Sequence, residues 1–295
     1  PGAPARSRIA LMPDPLLDMV NNETAYAKIN LALHVRKRLP NGYHELETIF
    51  AFLDAGDLIS VQPGDGVTLE ISGPFAEGLS TTDNLVVQAA KRLAEESNVT
   101  RGAHLRLDKR LPVASGIGGG SADAAATLRL LNRFWGLGHD LTELAEIAKP
   151  LGADVPACVI SQTCSGKGIG QDLTSIANDD LRQCTALLVN PLVPVSTADI
   201  FAAWDGVDRG ALESGPVMTV ARNGRNDLQK PAIALVPILT DVLQMLEECQ
   251  PVIARMSGSG ATCFALFDTL AEAKNAESHC LRTMDGAWTM IGSFR

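Results

Sequence analysis

Leu111-Pro-Val-Ala-Ser-Gly-Ile-Gly-Gly-Gly-Ser-Ala-Asp-Ala-Ala-Ala126 places four glycines, two serines and an acid between two segments of different period. Upstream, Leu105 and Leu107 alternate with His104, Arg106 and Asp108, the pattern of a half-buried strand. Downstream, Ala124, Leu128, Leu131 and Trp135 recur at helical spacing, and Gly136 and Gly138 supply a stop. The loop therefore opens a helix. The first N–H groups of a helix have no intrahelical partner and carry a partial positive charge, and glycine lets a ligand approach them closely. The stretch reads as a phosphate cradle. No Lys followed by Ser or Thr closes it as in G-x-x-x-x-G-K-[ST], and Ser121 stands where G-x-G-x-x-G needs glycine. The V-A-I-K, H-R-D and D-F-G set of protein kinases does not occur in the chain either.

Outward from the loop, 295 residues of which 46% are hydrophobic can bury a substantial core and predict a soluble protein of two domains. A formal charge of −9 argues against a nucleic-acid partner, because affinity for phosphate backbones rests on lysine and arginine. Two tyrosines and three tryptophans leave little for a single-strand stacking platform. The six cysteines, at 158, 164, 184, 249, 263 and 280, show neither C-x-x-C pairs nor interleaved histidines at zinc-ligand spacing. They are expected to be free thiols in a reducing compartment, the cytoplasm. Residues 1–23 read as a loose N-terminal extension whose apolar residues are interrupted by Pro13, Asp14, Pro15 and Asp18, so neither a signal peptide nor a membrane span is expected.

Along the chain, 25–35 alternates as a strand with Ala27, Ile29, Leu31, Leu33 and Val35 on one face, which puts Lys28 and Asn30 together on the other. The turn at Pro40-Asn-Gly42 leads into Tyr43-His44-Glu45 and a strand pair reaching about Gly73. Helices are predicted over 84–96 and 141–148, and a buried strand over 187–191. A largely helical stretch follows over 227–248, interrupted by Pro231 and Pro237, and a small-residue loop at 256–262 precedes a strand over 263–267. Between Gly152 and Pro156, Asp154 sits in a constrained loop.

A phosphate cradle over 112–122, a lysine at 28 and an acid at 154 are the parts phosphoryl transfer needs: positioning, charge neutralisation and a group to accept the proton of the attacking hydroxyl. From the residues alone, Lys28 reads equally as a solvated strand residue and Asp154 as a turn residue or helix cap.

Ala27-Lys-Ile-Asn-Leu31, the loop 112–122, Gly152-Ala-Asp-Val-Pro156 and Ser257-Gly-Ser-Gly-Ala261 occur in the order found in the GHMP kinases, which the chain resembles from Thr24 to roughly its C-terminus. The resemblance implies an α+β fold of two domains. The first, 24–185, would bind ATP and be built like ribosomal protein S5 domain 2; the second, 186–295, would be ferredoxin-like. Gly42-Tyr-His-Glu-Leu46 narrows the resemblance to kinases whose acceptor is a cytidine-diphosphate-linked methylerythritol, phosphorylated at its 2-hydroxyl on the way to isoprenoid precursors.

That resemblance implies ATP and Mg2+ as cofactors, and Asp154 as base with Lys28 orienting and neutralising. It implies that Pro112, Val113, Ala114, Ser115, Gly116, Ile117, Gly118, Gly119, Gly120, Ser121 and Ala122 form the ATP phosphate loop, with Ser121 close to the phosphates and magnesium. Lys109 and Asn84 would line the nucleotide site. Tyr43 and His44 would hold the cytosine with Phe201 stacking from the other side, and Asn30 and Thr197 would touch the acceptor. No side chain is assigned as a metal ligand, and a zinc hydrolase is disfavoured because Thr48 stands where H-E-x-x-H after His44-Glu45 needs histidine. Ala114-Ser115 departs from a usual glycine, and Lys167 reads as a solvated lysine. The expected assembly is a monomer or weak homodimer without nucleic acid or membrane. Homoserine, mevalonate or sugar kinases are the alternatives within the family, separable by swapping acceptors; a nucleotide-binding regulator without turnover would have no use for Lys28 and Asp154.

Overall fold

The computed structural model describes residues 21–295, so most of the expected N-terminal extension lies outside the described residues. Strands β1 (Asn22–Arg38) and β2 (His44–Gln62) form an antiparallel hairpin. β1 extends three residues beyond the strand expected over 25–35 at each end. Strands this long are unusual, and register shifts between Tyr26 and Lys28, Asn30 and Ala32, and Val35 and Lys37 divide the pair into shorter ladders. β3 (Val67–Ser72) lies parallel to β4 (Ala103–Asp108), which pairs with the C-terminal end of β2 at Leu58–Gln62. β5 (Cys164–Lys167) pairs with β2 at Thr48–Phe50 and with β6 (Asp172–Ser175). β4 and β5 thus share the edge of β2 opposite β1. Between them the chain's C-terminus takes the free edge: Phe294 bridges Leu53, and the Arg295 N–H donates to the Phe52 carbonyl at 3.1 Å.

Helices α1 (Leu85–Glu96), α2 (Gly119–Trp135), α3 (Leu141–Ala148) and α4 (Val155–Ile160) pack with this sheet around Leu93, Leu105, Leu107, Leu128, Leu131 and Trp135. Asn84 is the cap of α1 rather than its first residue, its side chain accepting from the Val86 N–H at 3.0 Å. α2 stops where expected: Gly136, at φ 68°, returns its N–H to the carbonyls of Arg133 and Asn132.

A second, antiparallel sheet is built from β7 (Thr185–Asn190), β8 (Ile253–Met256), β9 (Cys263–Phe267) and β10 (Trp288–Ser293) in the order β10-β7-β9-β8. Between β7 and β8 the chain forms α5 (Thr197–Ala202), α6 (Val217–Asn223), α7 (Gln229–Leu235) and α8 (Ile238–Glu248); α9 (Leu270–Thr283) joins β9 to β10. This is the split β-α-β-β-α-β arrangement of a ferredoxin-like unit. Pro231 falls in the first turn of α7, where a missing N–H costs nothing, and Pro237 separates α7 from α8.

The two sheets meet through Ile29, Leu31, Leu188, Phe264 and Leu266, which belong to one apolar cluster. Lys28 and Asn30 share a face of β1, and Lys28 is not a solvated strand residue. Lys28, Asn30 and His34 are nearly as buried as their apolar neighbours: Lys28 packs against Phe50 and the Gly118 turn, the Asn30 N–H donates to Ser257 Oγ, and Leu33 exchanges backbone bonds with Arg225 and Asp227.

Candidate active site

After β4 the loop is shaped from within and from both sides. Ser115 Oγ donates to the Pro112 carbonyl at 2.6 Å, which gives this departure from glycine a role in holding the turn. A Cβ on Gly116 would come within 2.4 Å of the Ser257 carbonyl oxygen, and one on Gly118 within 3.0 Å of Lys28 Cε; both residues are left-handed, at φ 77° and 68°. Ser257 ties the two loops to β1, taking the Asn30 N–H at 3.1 Å and donating to the Gly116 carbonyl at 2.9 Å. No side chain caps α2. Gly119, Gly120 and Ser121, in its first turn, line a cavity of about 950 Å³, where their N–H groups form an anion site.

Lys28 and Asp154 face the same cavity, with Lys28 Nζ 3.0 Å from Asp154 Oδ2. The side chains are 4% and 35% exposed, so the ammonium is fixed and its partner carboxylate keeps one open side. Asp154 occupies the cap position of α4 yet makes no capping bond; its carboxylate turns to Lys28 instead. Neither the solvated lysine nor the helix cap describes this pair. Lys28 Nζ also donates to Asn30 Oδ1 at 2.9 Å and sits 5.2 Å from the centre of the Phe50 ring.

Tyr43, His44, Thr197 and Phe201 line the cavity as well. The His44 ring centre is 5.0 Å from that of Phe201 and 5.7 Å from that of Trp204, the latter edge-on. Burial, and then the charge of Arg38, hold the His44 pKa below its ordinary value, so the ring is neutral. Its buried Nε2 has no hydrogen-bond partner, a group that a ligand can satisfy. Arg38 Nη2 donates to the carbonyls of Ala202 and Trp204 at 2.8 and 2.6 Å, tying the end of α5 to β1. Phe201 packs on His44, and Tyr43 stands 57% exposed on the cavity wall. Thr197 shares a 2.8 Å hydroxyl contact with Ser259.

Not every expected residue reaches the cavity. Of the loop, Pro112, Val113, Ile117 and Ala122 are off its wall, as are Asn84, Lys109 and the exposed Lys167. Lys109 requires a correction. Its Nζ lies 2.5 Å from Asp57 Oδ2 and 2.6 Å from Asp123 Oδ2, all three side chains buried, so its charge is already engaged beneath the loop. Burial pulls the Lys109 pKa down, but Asp123 and Asp57 outweigh it and the net shift is upward. Burial pushes the Asp123 carboxyl up against the pull of Lys109. Thr48, Phe50 and Gly258 line the cavity without having been singled out; Thr48 and Phe50 show a signal only in their two-residue spacing on β2.

Among the described residues no group of three His, Cys, Asp or Glu side chains is gathered to hold a metal. Ser121 and Asp154 instead offer the cavity a sparse oxygen set, which suits Mg2+ carried in on phosphates rather than a cation caged by protein. No helix among the described residues is long and apolar enough to cross a membrane.

The sequence matches the GHMP kinases N terminal domain over residues 84–162 and the GHMP kinases C terminal domain over 211–285. It is 49% identical to the 4-diphosphocytidyl-2-C-methyl-D-erythritol kinase of Rhizorhabdus wittichii, over 96% of this chain and 97% of that one. Its identity to the protein of the same name from Sphingopyxis alaskensis is 50%, over 92% and 98%. A crystal structure of 4-(cytidine 5'-diphospho)-2C-methyl-D-erythritol kinase superposes with a TM-score of 0.73 at 30% identity, covering 92% of this chain and 99% of that one. Homoserine kinase from Cytophaga hutchinsonii shares the fold, with a TM-score of 0.70 at 17% identity over 91% of this chain and 95% of its own. With both domains matched in order and near-full-length relatives at half identity, the chain belongs to the GHMP kinase family, in its 4-diphosphocytidyl-2-C-methyl-D-erythritol kinase branch.

Proposed function

We propose that this chain transfers the γ-phosphoryl group of ATP to the 2-hydroxyl of 4-(cytidine 5'-diphospho)-2-C-methyl-D-erythritol. One observation carries the reading: the Lys28–Asp154 pair and the uncapped start of α2 line the same cavity as Tyr43, His44 and Phe201. The nucleotide's phosphates lie against the N–H groups of Gly119, Gly120 and Ser121. Asp154 takes the proton of the 2-hydroxyl as that oxygen attacks the γ-phosphorus in line, and ADP leaves. Lys28 stays an ammonium, orients Asp154 and offsets charge developing on the transferred group. When bound with the nucleotide, Mg2+ would be held by the Ser121 hydroxyl and the phosphates and would supply further charge neutralisation. The neutral His44 reads the cytosine edge through Nε2, and the exposed Tyr43 ring closes on its face.

ADP release measured with the named acceptor tests the reading directly; turnover with mevalonate or homoserine and none with the diphosphocytidyl compound would overturn it. Tyr43→Ala is expected to raise the acceptor KM about fivefold to 150-fold, the loss of one base stack being worth roughly 1–3 kcal/mol. The ATP KM should not move. A change confined to ATP would reverse the allocation of the two subsites. Because His44 titrates below the ordinary histidine range, the acceptor KM should stay flat from about pH 8 down to the usual histidine value near 6.5 and rise only below it. A rise that begins above neutrality removes His44 as a neutral reader.

A further inference from the structure

We infer that Thr48 is a positioning residue for phosphoryl transfer, setting the direction of Lys28 through the carboxamide of Asn30. The inference rests on the roles proposed for Lys28 and Asp154. Thr48 Oγ1 lies 2.7 Å from the Ala32 carbonyl oxygen, a group that can only accept. The single hydroxyl proton is committed there. Thr48 Oγ1 is also 2.8 Å from the Asn30 side chain, and with its proton spent it can only accept in that contact. Asn30 must therefore present its NH₂ to Thr48, which turns Oδ1 toward Lys28 Nζ at 2.9 Å.

A carboxamide has no intrinsic preference between its two flips, so the choice is imposed by the partner whose role is fixed. Here both partners have fixed roles: the Lys28 ammonium can only donate, and Thr48, its proton spent on a backbone carbonyl beside the register shift of β1 between Asn30 and Ala32, can only accept, so together they hold the carboxamide in one flip. The chain Ala32 carbonyl, Thr48, Asn30, Lys28, Asp154 runs in one hydrogen-bond sense. Its first three side chains counted from Thr48 are almost wholly buried, with Thr48 at 1% and Asn30 and Lys28 at 3%, so bulk water cannot stand in for a lost member. Two of the three ammonium hydrogens are thereby directed, to Asn30 Oδ1 and Asp154 Oδ2, and the third is left for the transferred phosphoryl group.

Thr48→Val keeps the shape and removes the hydroxyl. The Asn30 NH₂ then has no acceptor in a buried site, and the carboxamide that receives the Lys28 ammonium is no longer anchored. We expect kcat at saturating substrates to fall about tenfold to a hundredfold, the cost of a small misplacement at a reacting centre, with the ATP KM within about twofold of wild type. Thr48→Ser, which restores the proton and the acceptor, should recover kcat to within about twofold. In a Lys28→Met background Thr48→Val should change kcat no further. If Thr48→Val does not fold, as read by its thermal transition, Thr48→Ala carries the same expectation. Wild-type kcat in the valine or alanine variant, failure of serine to rescue, or an undiminished effect without Lys28 would each overturn the inference. Activity lost in Lys28→Met and Asp154→Asn but kept in Thr48→Val removes only the role of Thr48; activity kept in both of the former removes the reading beneath it.

Discussion

Asp154→Asn is expected to lower kcat by about 10²- to 10⁴-fold, the range for a positioned general base, while leaving the dissociation constant for ATP near wild type. The substitution is close to isosteric, and an amide oxygen can still accept from Lys28. It adds no bulk to a cavity already shaped by Gly118 and Gly170, the latter with its Cβ position 3.8 Å from Asp154 Oδ1. It also removes no helix cap, because Asp154 makes none. What disappears is the capacity to take a proton from the acceptor hydroxyl. Single-turnover measurement of the phosphorylated product isolates this step from product release. A kcat within about threefold of wild type would show that the hydroxyl loses its proton elsewhere. A parallel rise in the ATP dissociation constant would mean that the carboxylate serves the nucleotide rather than the acceptor.

The parts of this fold that depend on local periodicity were legible in the chain. The glycine loop opens α2 and Gly136 ends it; Leu141–Ala148 is a helix with Asp140 and Glu143 forming a capping box; Pro237 divides the helical stretch after β7. The four-residue strands β5 and β6 were not legible, because Cys164-Ser-Gly-Lys has too few alternations to distinguish a strand from a glycine-rich turn. The site divides in the same way. Lys28 and Asp154 stood out by residue type and motif, but what surrounds Lys28 comes from far along the chain: the Gly118 turn, its Cβ position 3.0 Å from Lys28 Cε, and Asp154 itself, while Ser257 takes the N–H of Asn30 from 227 residues away. Alternation along one strand says which residues share a face, and nothing of what another domain later lays on it. The packing of His44 on Phe201 is a fact of the same kind, with Arg38 tying α5 to the hairpin.

Lys109 lies beneath the phosphate loop, paired with Asp57 and Asp123 rather than set on the cavity wall. Asp57, its partner at 2.5 Å, is 52 residues upstream on β2, beyond the reach of any local pattern. Lys109→Met is expected to cost about 3–5 kcal/mol of stability near pH 8, because removing one member of a buried ion cluster leaves charge uncompensated. Asp57 also accepts the N–H groups of Arg110 and Leu111 at 2.5 and 2.7 Å, so the strain enters the chain just where it turns into the phosphate loop. The sign of the pH dependence follows from Asp123, whose carboxyl is raised by burial and eased by Lys109. A carboxyl with a folded pKa above its unfolded value binds more protons in the folded state. Its stabilising protonation is complete below the unfolded value near 3.9 and is lost as pH rises through the folded value. Without the lysine that upward shift grows, so the deficit of Lys109→Met should be largest at pH 8 and shrink as pH falls toward 5. Denaturant midpoints at the two pH values, at constant m, measure the difference. A variant with the wild-type midpoint at both pH values that loses only ATP affinity would return Lys109 to the nucleotide; one whose deficit deepens in acid would deny Asp123 its raised carboxyl.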